Sequence, residues 1–368
     1  MKHWYEVTNV DSIDSPALLV YPERIKENIQ IIKSFVGEQC NRLRPHVKTN
    51  KMVEVCKMMI EEGIQQFKCS TIAEAEMLAL SNARDVLMAY QPVGPKVDRW
   101  IQLIEAYPNT NFACILDNVS SIEVLGRHAA KKGLRLNVFL DIDVGMGRTG
   151  ASISEVPHLW NSLCGYDSLV LKGVHGYDGH ISNPDQDIRL QESELSYKIL
   201  KEAFDYLQLK NPNILEIVIG GSPSFSSHAT RSDVVCSPGT FVFWDWGYRQ
   251  RIAEQPFLYA AVLLTRVISI ISPTRICVDL GYKAVASDPP LPRVQFLNAS
   301  GLEVIFQSEE HLVLSVDDSS RYSLGTVLYA VPTHICPTVN LYNSVSVIQE
   351  YHNKTTWQVI GRNRKLNI

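Results

Sequence analysis

The chain has 368 residues, of which 45% are hydrophobic and 20% charged, and its formal net charge is −4. This composition is typical of a soluble globular protein with one large domain and a smaller one, and the mild acidity argues against nucleic acid or an anionic membrane as a partner. No apolar run approaches the roughly 18 residues that a membrane span needs.

In the first two thirds of the chain, short apolar runs alternate with amphipathic ones. Eight of the apolar runs are predicted to be strands: residues 17–20, 42–47, 66–69, 86–90, 112–116, 137–142, 170–175 and 217–219. Helical patterns lie between them, at 25–36, at 120–132, at 193–207 and after a predicted cap formed by Thr71 and Glu74. Eight strands that alternate with helices predict a (β/α)8 barrel, and a doubly wound open sheet is the competing architecture.

After residue 248 the pattern changes to strand-like runs separated by Pro, Asn and Gly. These runs are residues 257–271, 274–280, 292–296, 302–307, 312–315 and 326–331. They predict a mostly antiparallel second domain. We therefore expect a barrel of residues 15–247 and a β domain of residues 248–368, to which residues 1–14 are added.

The cysteines and the N-terminus bear on the compartment. The eight cysteines lie mostly inside apolar runs and include no Cys-x-x-Cys pair, so they read as small buried side chains and not as a disulfide framework. The first residues lack the apolar run of a secretory signal. Both observations predict a cytoplasmic protein.

A basic segment, residues 44–51 with the sequence RPHVKTNK, ends the second predicted strand. A lysine held among other cations is a candidate for a nucleophilic amine. Schiff-base enzymes need such an amine to hold pyridoxal phosphate. Lys48 is therefore a candidate catalytic residue, and a solvated basic rim is the alternative.

Glycine-rich loops follow the later predicted strands, at the barrel end where active sites lie. Residues 220–224 (GGSPS) combine bare backbone N–H groups with serine hydroxyls, which suits an anion such as phosphate. Residues 238–240 (PGT) would add further N–H donors. A plain Gly-Ser-Pro turn is the alternative.

Two further loops carry an arginine and a histidine. In residues 143–150 (DVGMGRTG), Arg148 is expected to face a phenolate oxygen or a substrate carboxylate, or else to close the loop through an ion pair with an aspartate. In residues 174–180 (VHGYDGH), His180 is a candidate general base, because an imidazole readily titrates near neutrality. A structural histidine is the alternative.

In the second domain, His334 and Cys336 stand two residues apart on a predicted strand, so the imidazole and the thiol would share a face. This pair suits zinc, with water or substrate at the remaining positions. A buried cysteine beside an unrelated histidine is the alternative. Asp279 and residues 308–311 are candidates for partners that orient the ligands.

Six motifs in this order resemble those of a known family. They are residues 44–49, 143–150, 177–180, 220–223, 238–240 and 334–336. The chain resembles, over almost its whole length, the D-threonine aldolase and D-serine dehydratase family of alanine-racemase-like (fold type III) pyridoxal-phosphate enzymes. The resemblance implies an N-terminal (β/α)8 TIM barrel, a C-terminal mostly antiparallel β domain and a homodimer.

The resemblance also implies the site. Pyridoxal phosphate would be held by Lys48 and a divalent metal, zinc or manganese, by His334 and Cys336. The remaining cofactor-binding residues would be Gly221, Ser222, Gly239 and Thr240 at the phosphate, with Arg148 and Tyr177 close to the cofactor. Cys336 is closer to the dehydratase branch, which favours zinc, whereas residues 177–181 look more like the aldolases.

The function that this resemblance implies is a lyase whose small-molecule substrates are β-hydroxy-D-amino acids. We expect a D-threonine aldolase that yields glycine and an aldehyde, with either His180 or a metal-bound hydroxide removing the hydroxyl proton. A D-serine dehydratase, in which Lys48 removes the Cα proton, is the alternative. An amino-acid racemase and a non-catalytic binding protein for pyridoxal phosphate are further alternatives.

Overall fold

A computed structural model describes residues 2–213 and 216–368. The chain forms two compact units, and each is built from separate stretches of sequence. The unit that we call the sheet unit comprises Met1–Ile31, Thr49–Met52 and Thr240–Val359. The unit that we call the barrel unit comprises Ile32–Lys48, Val53–Gly239 and Ile360–Ile368.

The described residues form sixteen strands and ten α-helices. The strands are β1 (Ala17–Val20), β2 (Gln66–Cys69), β3 (Asp85–Met88), β4 (Asn111–Leu116), β5 (Leu136–Ile142), β6 (Leu169–Gly176), β7 (Glu216–Ile219), β8 (Val235–Cys236), β9 (Ala261–Ser272), β10 (Arg275–Val278), β11 (Val294–Phe296), β12 (Glu303–Gln307), β13 (Leu312–Ser315), β14 (Val327–Pro332), β15 (Ser344–Gln349) and β16 (His352–Gln358). The helices are α1 (Pro22–Phe35), α2 (Val53–Glu61), α3 (Ile72–Leu80), α4 (Lys96–Ala106), α5 (Val119–Lys132), α6 (Val156–Leu163), α7 (Gln186–Lys210), α8 (Phe225–Ala229), α9 (Trp246–Arg251) and α10 (Ile335–Leu341).

The barrel unit contains a parallel sheet whose strands follow one another in chain order from β2 to β8. Residues 43–47 join the two edges of this sheet, because Leu43 pairs with Cys236 on β8 and His46 pairs with Lys68 on β2, both in parallel. This segment takes the position of the eighth strand of the barrel. The (β/α)8 prediction is therefore confirmed, and the consecutive strand order rules out the doubly wound alternative.

One predicted barrel strand belongs to the other sheet, and one barrel strand was not predicted. Residues 17–20 do form a strand, β1, but it pairs with β9 and β15 in the sheet unit and is not the first barrel strand. Its place in the barrel is taken by β8, which the sequence analysis missed. A four-residue apolar strand carries no information on which sheet it joins, and a two-residue strand is too short for a periodic pattern.

Apolar side chains from several barrel strands fill part of the barrel interior. Leu87, Ala113, Ile115, Phe139 and Val218 form one buried cluster. Below it lies the guanidinium of the fully buried Arg44, which pairs with Asp85 and with Glu216 at 2.8 Å. Asp85 and Glu216 are the first residues of β3 and β7, so Arg44 closes the amino-terminal end of the barrel and leaves the other end to the site.

The sheet unit is built on a mostly antiparallel sheet of nine described strands. Its main path runs β12-β13-β10-β9-β1-β15-β16, with β14 pairing with both β9 and β11. The prediction of a β-rich second domain missed the hairpin of β15 and β16. That hairpin receives the N-terminal segment, because the Thr8 N–H donates to the Tyr351 carbonyl at 2.8 Å.

Helix caps follow the sequence where capping residues were visible. The Thr71 hydroxyl accepts the Glu74 N–H at the start of α3, as predicted. Helix α7 begins at Gln186, seven residues before the predicted start, because the Asp185 carboxylate caps it by accepting the N–H groups of the second and third residues that follow. No helix in the described part of the chain is long and apolar enough to cross a membrane.

Candidate active site

The barrel unit contains a cavity of about 590 Å³ at the carboxyl ends of its strands. This volume suits a cofactor or a small-molecule ligand. Its lining comprises His46, Lys48, Lys68, Ser70, Ala89, Tyr90, Gln91, Val93, Ile115, Asp117, Arg148, Thr149, His175 and Tyr177. Lys48, Arg148 and Tyr177, which the sequence analysis selected from separate loops, all line this cavity.

Lys48 lies in the turn that follows residues 43–47, the eighth barrel strand, and its side chain is half-buried. The backbone N–H of Lys48 donates to Nδ1 of His46 at 3.2 Å, which fixes the turn. The Lys48 Nζ lies 5.2 Å from the centre of the Tyr177 ring. The Lys48 amine therefore lies in the cavity, at the end of a barrel strand. It forms no salt bridge within the described chain.

A second lysine, Lys68 on β2, lies fully buried at the same cavity. Its Nζ is 2.5 Å from the Ser237 hydroxyl and 3.4 Å from Nε2 of His175. Nδ1 of His175 is in turn 2.6 Å from the Asp141 carboxylate. Burial, assisted by the positive charge of Lys48, lowers the pKa of Lys68 to about 7.

Three cations surround the aromatic ring of Tyr177. Besides Lys48, the Lys68 Nζ lies 5.6 Å and the Arg148 Cζ 4.9 Å from the ring centre. The only carboxylate in the cavity lining of the described chain is Asp117. The cavity therefore has an excess of positive charge, which suits an anionic ligand.

Two glycines allow the Tyr177 ring to take this position. A Cβ at Gly179 would lie 2.3 Å from the Tyr177 Cζ, and a Cβ at Gly221 would lie 3.2 Å from its Cε2. Any side chain at Gly179, and a bulky one at Gly221, would displace the ring. Gly221 therefore places the 220–224 loop against the edge of the ring that lines the cavity.

A buried pair, Asp178 and His228, holds the 220–224 loop in place. The Asp178 carboxylate accepts the Gly221 N–H at 3.2 Å and lies 2.7 Å from Nε2 of His228, and both side chains are fully buried. Burial alone would raise the pKa of Asp178, but the hydrogen bond and charge of His228 outweigh it and hold that pKa below its usual value. Ser222 is buried and its hydroxyl accepts the Gly239 N–H at 3.4 Å, so the two predicted phosphate loops are joined.

The structure separates Arg148 and His180, which the sequence analysis had both placed near the cofactor. Asp143 accepts the N–H groups of Gly145 and Gly147 at 3.0 Å, and Arg148 forms no salt bridge within the described residues, so the alternative of an Asp–Arg ion pair in this loop is wrong. His180 is exposed and lies against Gly145, outside the cavity lining. The structure therefore brings Arg148, and not His180, to Lys48.

In the sheet unit, His334 and Cys336 begin helix α10, and the predicted strand at this point was wrong. His334 is the N-cap residue and Cys336 the second helical residue. The two side chains still meet, since they hydrogen-bond one another. Nδ1 of His334 lies 2.6 Å from the Asp288 carboxylate.

The surroundings of Cys336 add oxygen donors. The Thr49 hydroxyl lies 3.1 Å and the Thr240 hydroxyl 3.6 Å from its Sγ. Within residues 2–213 and 216–368 no group of three or more His, Cys, Asp or Glu side chains could hold a metal ion. The imidazole and thiol, with Asp288 holding the imidazole, therefore fit a divalent metal only if water or substrate supplies the other ligands.

The barrel cavity fits pyridoxal phosphate by its donor set. It holds an amine for covalent attachment, further cations for an anionic molecule and an aromatic ring that can lie beside a planar ligand. The 220–224 loop lies at the edge of that ring through Gly221, although neither predicted phosphate loop is part of the cavity lining. Thr240, the last of the predicted phosphate residues, follows Gly239 directly in the chain and belongs to the sheet unit.

Sequence reasoning missed several residues that build this site. Lys68, the Asp141–His175 pair and the Asp178–His228 pair were not selected, although Asp178 and His175 lie inside a motif that was. The available signal was the charge of Lys68 at the third position of the short predicted strand 66–69. A lysine is rarely buried unless it has a partner or a function.

This architecture, a barrel with a cavity at the carboxyl ends of its strands and a separate, mostly antiparallel sheet unit, is the alanine-racemase-like fold, fold type III. Comparison with known proteins gives the family. Residues 20–245 match the family described as the alanine racemase N-terminal domain, and residues 260–348 match a serine dehydratase domain. The chain belongs to the alanine racemase N-terminal domain family.

Curated relatives match the chain from end to end. It is 27% identical to a 3-hydroxy-D-aspartate aldolase of Paracoccus denitrificans, with 96% of this chain and 93% of the relative covered. It is 23% identical to a D-threonine aldolase of an Arthrobacter species, with 95% and 93% covered. A D-serine dehydratase of Dictyostelium discoideum is also 23% identical, with 92% and 94% covered. The chain is thus a pyridoxal-phosphate-dependent lyase of the aldolase and dehydratase type.

Solved structures give the same fold. The D-threonine aldolase of Filomicrobium marinum superposes with a TM-score of 0.87 at 22% identity, and 95% of each chain is covered. A D-threo-3-hydroxyaspartate dehydratase variant, described as a metal-free form, superposes with a TM-score of 0.83 at 22% identity, with 94% of this chain and 97% of that chain covered. These likenesses confirm the fold class.

Proposed function

We propose that this chain cleaves β-hydroxy-D-amino acids between Cα and Cβ, as a metal-assisted D-threonine aldolase, and releases glycine and an aldehyde. The observation that carries the proposal is the contact between the His334 imidazole and the Cys336 thiol, with Asp288 hydrogen-bonded to the imidazole. A racemase has no use for a metal, whereas a lyase that acts on a β-hydroxyl has. The end-to-end similarity to two aldolases supports the same choice.

When bound, pyridoxal phosphate supplies an electron sink for the carbanion at Cα, and the divalent metal supplies a Lewis acid for the β-hydroxyl. Lys48 would hold the cofactor covalently through Nζ. Gly221, Ser222, Gly239 and Thr240 would bind the phosphate through N–H and hydroxyl groups.

Arg148 and Tyr177 orient the ligands in the barrel cavity. The Arg148 guanidinium, exposed and without a salt bridge in the described chain, is available to a carboxylate or a phenolate oxygen. The Tyr177 ring, held between Gly179 and Gly221, limits the positions that a planar ligand can take. Both therefore act by binding and positioning.

His334 and Cys336 would hold the metal through the imidazole and the thiolate. Asp288 is hydrogen-bonded to Nδ1 of His334, so Nε2 is the imidazole nitrogen that would coordinate the metal. A soft sulfur ligand favours zinc over manganese. His180 remains a proposed base for the β-hydroxyl proton, and its position outside the cavity lining makes it the weakest of the proposed residues.

A second candidate function is dehydration of D-serine. The same residues would serve, with Lys48 as the base for the Cα proton, and a bound metal would supply a Lewis acid for the β-hydroxyl as leaving group. The thiol of Cys336 and the similarity to a D-serine dehydratase favour this candidate.

The deciding experiment is incubation of the purified chain, with pyridoxal phosphate and either zinc or manganese, with D-threonine and D-serine. L-Threonine and L-serine serve as controls. Glycine formed from D-threonine supports the aldolase, and pyruvate formed from D-serine supports the dehydratase. No product from either D-amino acid would contradict both.

A chelator separates the lyases from a racemase. Lyase turnover should be lost when EDTA is added and should return with the metal. If the chain instead interconverts D- and L-amino acids at an unchanged rate in EDTA, it is a racemase and the lyase proposal is wrong.

A further inference from the structure

Lys68 is a buried amine that the proposed reaction leaves without a role. The side chain is 1% exposed, yet it lines the cavity that contains Lys48. Within the described ranges no carboxylate lies at salt-bridge distance from its Nζ. Burying an amine without a counter-charge is costly, and natural proteins retain such groups mainly at functional sites.

The neighbours of Lys68 leave one of its hydrogen-bonding positions for a ligand. Since the Nδ1–H of His175 donates to the Asp141 carboxylate, Nε2 carries the lone pair and accepts from Lys68. The Ser237 hydroxyl takes a second position at 2.5 Å. A lysine ammonium has three donors, so one remains directed to the contents of the cavity.

The charge of the cavity indicates what that ligand is. Lys48 is used for covalent attachment, and the glycine loops are expected to take the phosphate. The polar atoms of the pyridine ring and of its phenolate are then left without a partner from those groups. Lys68 contacts the same Tyr177 ring as Lys48 does, at 5.6 Å against 5.2 Å from the ring centre.

We propose that Lys68 is a second cofactor-binding lysine: it hydrogen-bonds a polar atom of the pyridoxal ring non-covalently, while Ser237 and the Asp141–His175 pair position its amine. This proposal rests on pyridoxal phosphate being bound by Lys48, and it does not depend on which lyase reaction the chain performs. A pKa of about 7 for Lys68 supports it, because the amine can then donate or accept a proton near neutral pH.

The test is cofactor binding and not turnover. The affinity of Lys68→Met, Lys68→Arg and the parent chain for pyridoxal phosphate is measured by equilibrium dialysis, together with the visible absorption spectrum. Lys172→Met is the matched control, since Lys172 is a half-buried lysine on β6 outside the cavity lining. Borohydride reduction and peptide mass analysis locate the covalently bound cofactor in each variant.

We expect Lys68→Met to bind pyridoxal phosphate about tenfold or more weakly and to shift the absorption band, because it removes a charge-assisted hydrogen bond. Lys68→Arg should retain part of the affinity, Lys172→Met should match the parent, and the reduced cofactor should be on Lys48 throughout. An affinity within about twofold of the parent and an unchanged spectrum would overturn the proposal, and so would reduced cofactor on Lys68.

Ser237→Ala covers the case in which Lys68→Met does not fold. This variant keeps the amine and removes only its 2.5 Å partner. A threefold to tenfold loss of cofactor affinity with a shifted band supports the positioning role, and an unchanged affinity and spectrum contradict it. Failure of the D-threonine and D-serine assay with normal cofactor binding would leave the Lys68 proposal standing and remove only the proposed reaction.

Discussion

The burial of Lys68 predicts how the stability of the cofactor-free chain depends on pH. Its pKa of about 7 in the folded chain lies below the ~10.4 of an unfolded lysine. Below pH 7 both states carry the proton and the folded chain bears the full cost of the buried ammonium. Between about pH 7 and pH 10 only the unfolded chain keeps the proton, so stability rises with pH in this window.

The size of the effect follows from the two pKa values. At pH 7 the buried amine costs ~4 kcal/mol, and by pH 9 this cost falls to ~2 kcal/mol. Lys68→Met removes the titrating group. The free energy of unfolding of the parent should therefore gain about 2 kcal/mol relative to Lys68→Met between pH 7 and pH 9.

The charged groups that face Lys68 decide where this window lies. Lys48 and Arg44 repel the ammonium, whereas Asp178 and Asp141 favour it. Lys48→Met removes the strongest of the repelling charges, so the gain in stability should begin at a higher pH in that background.

The effect is measured by urea unfolding of the cofactor-free proteins, with their cysteines kept as free thiols, at pH 7 and pH 9. Tryptophan fluorescence and circular dichroism monitor the unfolding. Packing changes caused by methionine are independent of pH and cancel in the comparison, as do all groups common to both proteins. Lys172→Met controls for the loss of a strand lysine outside the cavity. If parent and Lys68→Met differ by the same amount at pH 7 and pH 9, the Lys68 amine is not buried as the structure has it.

Two further predictions concern other parts of the site. Asp178→Asn weakens the buried contacts to His228 and to the Gly221 N–H, so we expect a loss of about 2 kcal/mol in the free energy of unfolding and weaker cofactor binding. Urea titrations with and without pyridoxal phosphate measure both effects. A variant as stable as the parent would contradict the role of the Asp178–His228 pair. His334→Ala should reduce the bound metal, measured by atomic emission, and the lyase rate by at least tenfold while the cofactor absorption persists, and loss of the cofactor instead would show that His334 does something else.

Much of the barrel site was predictable because its residues follow strand ends. Lys48, Arg148 and Tyr177 come from three separate loops, and the barrel geometry alone requires that such loops meet at one end. The fold class was predictable for the same reason, since the alternation of apolar runs and amphipathic helices spans most of the chain. The boundaries between the two units were not predictable, because β1 pairs with strands of the sheet unit and this pairing leaves no signal in its four residues.

The metal pair shows a correct selection of residues on a wrong backbone. His334 and Cys336 meet at the start of a helix and not on a strand. Pro337, one residue further, is the signal that was available, because a proline is tolerated in the first turn of a helix and disfavoured within a strand. The buried pairs around Lys68 and Asp178 were beyond sequence reasoning, since each joins side chains from elements that are far apart in the chain.

The central claim is that the Lys48 amine carries pyridoxal phosphate. Borohydride reduction of the loaded chain, followed by digestion and mass analysis, tests it directly. The account predicts a reduced pyridoxyl group on the peptide containing Lys48, and its absence, together with the visible absorption band, from Lys48→Ala. A pyridoxyl group found on another lysine of the parent chain, or an unchanged absorption band in Lys48→Ala, would contradict it.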